Sequence, residues 1–447
     1  MSHRIVILID HKTRDLPGAA LIAHHLQHMG VEVHLEPLES WRSCLYAWKP
    51  DLVLFNHILH DHILKLSAQL HEWGVVVGCL LSEGLCQSDS IRKYLSEPQS
   101  PDLHCDFFLA WNEPHRQALE EAHFTTPTEN AITVGVPRFD FYCQPWCNFF
   151  EKPRKNKRIR ILFNTTFALA PHYEYTQKKK DLLKGSFGGG KLPGFSDHNK
   201  MIEDHHKGRA AVRKYLEPLI RANCFEISLR PHPREDLGFY EDLLQSIDSP
   251  GTKHITLERR CSIFESIINS DIILNCEDCT TSIESWIAKK PTITLLFEQS
   301  PVFFTEFFAK CSPHVDSPDE LIPIIHRELE NPDQPDFAEP RKSHLDTWLY
   351  RTDGKSSYRA AVAIRDSLAA NNPNPKYPFS LSGMRRGLKL RLLQLFDEPG
   401  HAQIKDILRR LKPNDTDQVD RRYRDYQKAI RPSDVARVSA ELEKIPR

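Results

Sequence analysis

The stretch of this 447-residue chain best suited to chemistry is LRPHPRED (229–236). Pro231 and Pro233 bracket His232, fix their own φ angles and push Arg230 and His232 away from helical conformation. The imidazole is thereby held on a stiff extended loop, with Arg230 and Arg234 beside it. A lone loop histidine is most often only solvated. One preorganised at a strand end between two guanidinium groups suits the oxygens of a phosphate, reached by charge-assisted hydrogen bonds.

A second group lies in NCEDCTTSIESWIAKKPTITLLF (275–297), which reads as strand, turn, hydroxyl run, a short helix from Ser282 to Ala288, and strand. Thr280, Thr281 and Ser282 fall where that helix begins, and unpaired backbone N–H groups with the positive dipole end make such a point an anion site. Hydroxyls there cap the helix or hold a phosphate, and Glu277 and Glu284 serve similar structural ends. A second phosphate-type group in the same sheet as His232 favours ligand contact. In LLSEGL (80–85), Glu83-Gly84 follows an apolar strand of the first half, where an acid points towards a ligand crevice. Burial would raise its pKa enough for general-base work on an acceptor hydroxyl, although a surface acid or a helix cap reads equally well. In DHKTRDLPG (10–18), Arg14 and Asp15 stand where an acceptor would bind, and the loop carries neither Gly-x-Gly-x-x-Gly nor the Walker pattern.

No metal and no cofactor are expected. His24 and His28 have helical i,i+4 spacing and NHILHDH (56–62) is histidine-rich, yet neither carries the carboxylate or cysteine pattern of a known site. Cys276-x-x-Cys279 is the only two-residue cysteine spacing, far from any second pair that would complete a zinc site.

The elements that must position these residues form two series. RIVILID (4–10), VEVHLEP (31–37), DLVLFN (51–56), VVVGCLL (75–81), FFLAW (107–111) and AITVGVP (131–137) are apolar strands separated by helical stretches. After a charged linker within FFEKPRKNKR (149–158), RIRILFN (158–164), CFEISLR (224–230), HITL (254–257), DIILN (271–275) and PTITLLF (291–297) repeat the rhythm, with helices at 207–222 and 262–270. Alternating strands and helices imply parallel sheets covered on both faces. The expected fold is α/β, GT-B-like: two Rossmann-type doubly wound domains facing a cleft, at 1–150 (acceptor) and 156–350 (donor), plus a helical basic C-terminal extension at 351–447. Residues 170–206, rich in Lys, Gly and His and containing SFGGGK, read as a long mobile loop or lid.

Composition bounds the rest. With 40% apolar residues, 27% charged residues and a net charge of −1, the chain is globular and no general nucleic-acid binder. MSHRIVILID is too short and too soon acidic for a signal peptide, and no apolar run reaches the roughly 18 residues a membrane span needs, so a cytoplasmic location is expected. Eleven cysteines without a repeating pattern favour reduced thiols. Residues 351–447 carry 21 Lys and Arg against 12 Asp and Glu, leaving 38 against 48 in residues 1–350, so the tail is basic and the body acidic. Within the tail, MRRGLKLRLLQLF interleaves Leu388, Leu392, Leu393 and Phe396 with Arg385, Arg386, Lys389 and Arg391. Region 383–412 is thus either a terminal helix packed on the body with a solvated basic face or a contact for the anionic inner face of a membrane.

Glu83-Gly84, VGVPRFD (134–140), RPHP (230–233) and the Thr280-Thr281-Ser282 run followed by Glu284 and KKP, in this order on the strand map, resemble bacterial surface-carbohydrate biosynthesis proteins of the GT-B glycosyltransferase class over roughly residues 1–350. The His-Pro and Ser/Thr motifs are also similar to those of sialyltransferases, polysialyltransferases and capsule Kdo transferases, which use CMP-activated sugar acids, and of CDP-glycerol glycerophosphotransferases. The resemblance implies that His232, with Thr280, Thr281 and Ser282, binds the phosphate of a nucleotide sugar. It implies Glu83 as the base, although Ser82-Glu83-Gly84 keeps only one acid of the relatives' acid-acid-Gly motif. It further implies a metal-independent transferase acting on a glycan or lipid-linked acceptor. A nucleotide-sugar epimerase or hydrolase, or a non-catalytic assembly protein, would keep the same shape.

Overall fold

The computed structural model describes residues 3–58, 61–82, 103–123, 130–154, 156–184, 197–258, 261–277, 279–297, 310–332, 334–398 and 428–444. The chain divides into two compact units, Met1–Trp146 with Asp346–Arg447, and Cys147–Leu345.

The first unit is built on six strands: β1 (Arg4–Ile9), β2 (Glu32–Pro37), β3 (Leu52–Phe55), β4 (Val76–Cys79), β5 (Phe107–Ala110) and β6 (Ala131–Thr133). All pair in parallel, in the order β2-β1-β3-β4-β5-β6. Both faces are buried, which is why the strands read as apolar runs rather than as alternations. Val6, Leu8, Phe55, Val77 and Phe108 point to one side, and Ile5, Ile7, Leu54, Val76 and Leu109 to the other.

The second side is closed by the tail. The helix Ser356–Asn371 lays Ala360, Ala361, Ile364 and Leu368 against it. Asp140 of the VGVPRFD motif starts that helix, its carboxylate accepting from the backbone N–H of Ser356 (3.0 Å) and Ser357 (2.7 Å) and from Ser357 Oγ (2.6 Å). Burial lifts the Asp140 pKa to about 6 against those lowering hydrogen bonds. Gly135, at φ +89°, lies where a Cβ would stand 2.6 Å from Ser356 Oγ, so it must be glycine. Of the extension expected from residue 351, the described residues include the helices Ser356–Asn371, Leu381–Leu395 and Pro432–Glu443, which fall within the first unit. Part of region 383–412, residues 399–412, lies outside the described residues.

The second unit has β7 (Ile159–Asn164), β8 (Phe225–Arg230), β9 (Ile255–Leu257), β10 (Ile272–Cys276), β11 (Thr292–Leu295) and β12 (His314–Val315). They form a parallel sheet in the order β12-β11-β10-β7-β8-β9. Ile161, Phe163, Ile227, Leu229, Leu274 and Ile293 make its core. The two-residue β12 is too short to show as a pattern in the sequence.

The expectation of one long loop at 170–206 is corrected at its described residues. A 3-10 turn occupies Ala170–His172, a helix spans Gln177–Lys184, and the helix expected at 207–222 begins already at His198; residues 185–196, which include most of SFGGGK, lie outside the described residues. Asp197 caps the longer helix by accepting from Lys200 N at 3.0 Å. Gly208 seats it against the Phe167 ring, where a Cβ would come within 2.3 Å of Cε1. His205 Nδ1 accepts from Leu169 N at 3.2 Å, and burial lowers the His205 pKa to about 4. Packing thus makes a helix of a segment whose Lys- and His-rich composition reads as loop.

Candidate functional site

In both sheets the chain reverses direction across the sheet at one point, between β1 and β3 in the first and between β7 and β10 in the second. Ligands of doubly wound sheets bind outside the carboxyl ends of the strands at such points. In the second unit, Arg230, Asn164 and Asn275 stand in one register row across β8, β7 and β10. At about 4.8 Å per strand, the loops after β8 and β10 emerge roughly 10 Å apart, with the β7 loop between them.

One carboxylate organises this edge. Glu235 is fully buried; its Oε1 accepts from Thr165 Oγ1 (2.5 Å), Phe167 N (3.1 Å) and His232 N (3.0 Å), and its Oε2 accepts from Tyr240 Oη. Burial raises its pKa, against the lowering effect of these hydrogen bonds. The His232 loop is therefore tied to the loop after β7. Arg234 N donates to His232 Nδ1 at 3.1 Å, which makes Nδ1 an acceptor and puts the ring proton on Nε2. His232 itself is half-buried.

The arginines divide their work. Arg230 donates to Cys261 O (2.8 Å) and Ser266 Oγ (3.4 Å), so it fixes the loop after β9, while Arg234 is exposed. On the other flank, the helix spans Thr280–Ile287, and its N-cap residue, Cys279, makes no side-chain cap hydrogen bond. Its hydroxyls are placed unequally. Thr280 is exposed, whereas Thr281, Ser282 and Glu284 are buried. Thr281 Oγ1 accepts from Cys279 Sγ at 3.3 Å. Ser282 Oγ accepts from Asn275 Nδ2 (2.8 Å), whose Oδ1 accepts from Asn164 Nδ2 (2.9 Å). Thr166 Oγ1 donates to Cys276 O at 2.8 Å. A polar ladder thus runs from the His232 loop through β7 to the helix start, and His232, Thr280 and the first amides of that helix lie along one sheet edge.

The sequence reading missed Glu235, Thr165, Thr166, Asn164 and Asn275 as site residues. NTTF (164–167) directly after the apolar run RIRILF was the available signal, since polar residues at a strand's carboxyl end are where ligands are met.

In the first unit, Asp15 precedes the helix Leu16–His28. Burial would raise its pKa, but Arg14 outweighs that with hydrogen bonds from Nε to Oδ1 (2.7 Å) and from Nη2 to Oδ2 (3.0 Å), and the net shift is downward. Arg14 and Asp15 are therefore paired with each other. Beside them a small cavity is walled by Ile9, Asn56, Ser82, Trp111 and Arg138. The Arg138 guanidinium lies 4.9 Å from the Trp111 and Phe139 ring centres and donates to Ser82 O. Glu83, expected as the base, lies outside the described residues. Among the described residues, His71, His104 and Asp106 are the one group of metal-capable side chains close enough to share an ion; His104 Nε2 and Asp106 Oδ1 are 3.0 Å apart. Burial raises the Cys276 and Cys279 thiols above their ordinary pKa, so neither is poised as a thiolate ligand.

Each unit is an α/β, Rossmann-type doubly wound parallel sheet. No family model and no curated protein matches the chain. Among solved structures, the S. aureus MnaA–UDP complex aligns at TM-score 0.48 and 15% identity, over 85% of this chain and 100% of that one. A glycosyltransferase from Rickettsia africae gives 0.45 and 13%, over 82% and 99%, and the wall teichoic acid polymerase TagF with CDPG gives 0.46 and 12%, over 83% and 90%.

Proposed function

We propose that the chain is a glycosyltransferase of bacterial surface-polysaccharide biosynthesis. It transfers a sugar, a sugar acid from a CMP-activated donor, to a glycan or lipid-linked acceptor. The observation that carries this reading is His232: its loop is locked by Glu235, its Nδ1 is occupied by Arg234 N, and its Nε2–H stands at the same sheet edge as the helix start at Thr280. Two preorganised donor groups at a switch point suit a diphosphate or phosphodiester, and helix amides add the positive dipole end.

In the reaction, Glu83 takes the proton from an acceptor hydroxyl, whose oxygen bonds to the anomeric carbon as the bond from that carbon to the donor's phosphate oxygen breaks. The nucleotide leaves with the electron pair. Nε2–H of His232 and the amides at Thr280 stabilise the charge that develops on it, while Ser282, tied to Asn275, holds the helix start in place. No cofactor takes part in this scheme.

The test is turnover of CMP-linked sugar acids with oligosaccharide acceptors, with products identified by mass. Wild type should form the lengthened glycan, and His232→Ala should lose about 100- to 1,000-fold in rate, the usual cost of deleting one preorganised donor, with its thermal unfolding unchanged. Release of free or epimerised sugar without acceptor would replace the transferase by an epimerase or hydrolase. Unchanged turnover in His232→Ala would remove the site.

A further inference from the structure

Large apolar side chains on the surface are concentrated in one place. Among the described residues, ten are exposed, and seven of them fall within 379–396: Phe379 (81% exposed), Leu381, Met384, Leu388, Leu392, Leu395 and Phe396. Five of the seven lie on the helix Leu381–Leu395. At 100° per residue, Leu381, Met384, Leu388, Leu392 and Leu395 fall within an arc of about 80°.

This helix is inverted relative to an ordinary surface helix. It packs on the helix Trp41–Trp48 through its smallest residues, Gly383 and Gly387, together with Leu390. A Cβ at Gly383 would lie 2.4 Å from the Tyr46 ring, and one at Gly387 would lie 2.8 Å from Ala47 N, so this face is built for close backbone approach. Arg391 fastens it, donating to Ala47 O with its guanidinium 5.1 Å from the Trp48 ring centre. Gln394 adds a hydrogen bond to Glu36 at 2.6 Å. The leucines are left outside by construction.

Cations border the stripe. Arg385 and Lys389 are exposed alongside it, and the segment 381–395 has no acidic residue. A convex apolar ridge edged by cations fits a plane of anionic headgroups over acyl chains better than a protein groove, which would offer partners for the leucines but none required for the cations. We propose that residues 379–396 are a peripheral docking surface for an anionic lipid bilayer, with Phe379, Met384, Leu388, Leu392, Leu395 and Phe396 entering the interface and Arg385 and Lys389 meeting lipid phosphates. The surface stands independently of the sugar-transfer reading. No helix of the described residues is long and apolar enough to cross a membrane, so attachment is to one face.

The experiment is co-sedimentation of the full chain with vesicles of phosphatidylcholine alone and of phosphatidylcholine mixed with phosphatidylglycerol, with light scattering on the same samples. Wild type should bind the anionic vesicles at least tenfold better than the neutral ones. Arg385→Gln/Lys389→Gln should weaken that binding roughly 30-fold, taking each cation's headgroup contact as roughly fivefold, and Leu388→Asp/Leu392→Asp should abolish it. All four substituted side chains are exposed, and unchanged circular dichroism and melting temperature verify the fold. Equal binding to both vesicle types, no binding to either, or binding untouched by Leu388→Asp/Leu392→Asp would overturn the proposal. Concentration-dependent dimers of wild type, absent in that variant and without vesicle binding, would also overturn it and assign the ridge to a second copy.

Discussion

The two switch points answer the same topology with opposite chemistry. At the first, charges neutralise one another: Arg14 pairs with Asp15, and Arg138 is spent on Ser82 O and two aromatic faces. What remains to line the cavity is mainly apolar and aromatic. At the second, a buried acid collects donors from two loops and so fixes the backbone on which the His232 ring stands. An aromatic wall with few open charges suits the face of a neutral ring, whereas fixed donors suit phosphate. The difference teaches that the topology sets where an open sheet edge lies, and that the hydrogen-bond partners behind each edge set its chemical character.

The largest effect is expected from Glu235→Ala. It leaves the donors of Thr165, Phe167, His232 and Tyr240 without their common acceptor. The loss should be about 3 kcal/mol, or roughly 6–12 °C in melting temperature, with nucleotide binding weakened as the His232 loop comes free. Full stability by calorimetry in that variant would mean that the second edge is not organised by its acid. Arg138→Ala should act only on the other side. Acceptor KM should rise about tenfold with the donor Kd unchanged, and a change in donor Kd instead would erase the division between the edges.

The smallest effect is a contrast in pH. Glu235 has a raised folded-state pKa, so its contribution is complete below pH 4.5 and declines as pH rises through the folded value. Asp15 has a lowered one, so its contribution is complete above pH 3.8 and is lost as pH falls through the folded value. Melting curves of Glu235→Gln and Asp15→Asn against pH should therefore differ from wild type at opposite ends. Both deviating on the acid side would contradict the account of Glu235.

The sheets were legible because buried parallel strands leave unmistakable apolar runs, as in RIVILI and IILN. The His232 loop and the hydroxyl run were legible because proline stiffness and helix starts are local. Glu235 was not, since its partners include Thr165, 70 residues away in sequence, and only the adjacency of β7 and β8 brings the two together. The role of Asp140 likewise depends on Ser356 and Ser357, more than 200 positions later. Helix His198–Ala222 was foreshortened because His205 and Gly208 declare their purpose only against Leu169 and Phe167.

The central claim, a phosphate held by His232 at the second edge, is tested most directly by thermal shift with CMP, CDP, UDP, GDP and their sugars on wild type and His232→Ala. At about 100 times Kd, a bound nucleotide adds roughly 2.7 kcal/mol of stability. The account predicts a shift with cytidine nucleotides that disappears in His232→Ala while the ligand-free melting temperature stays the same. An equal shift in both proteins, or none with any nucleotide, would contradict it.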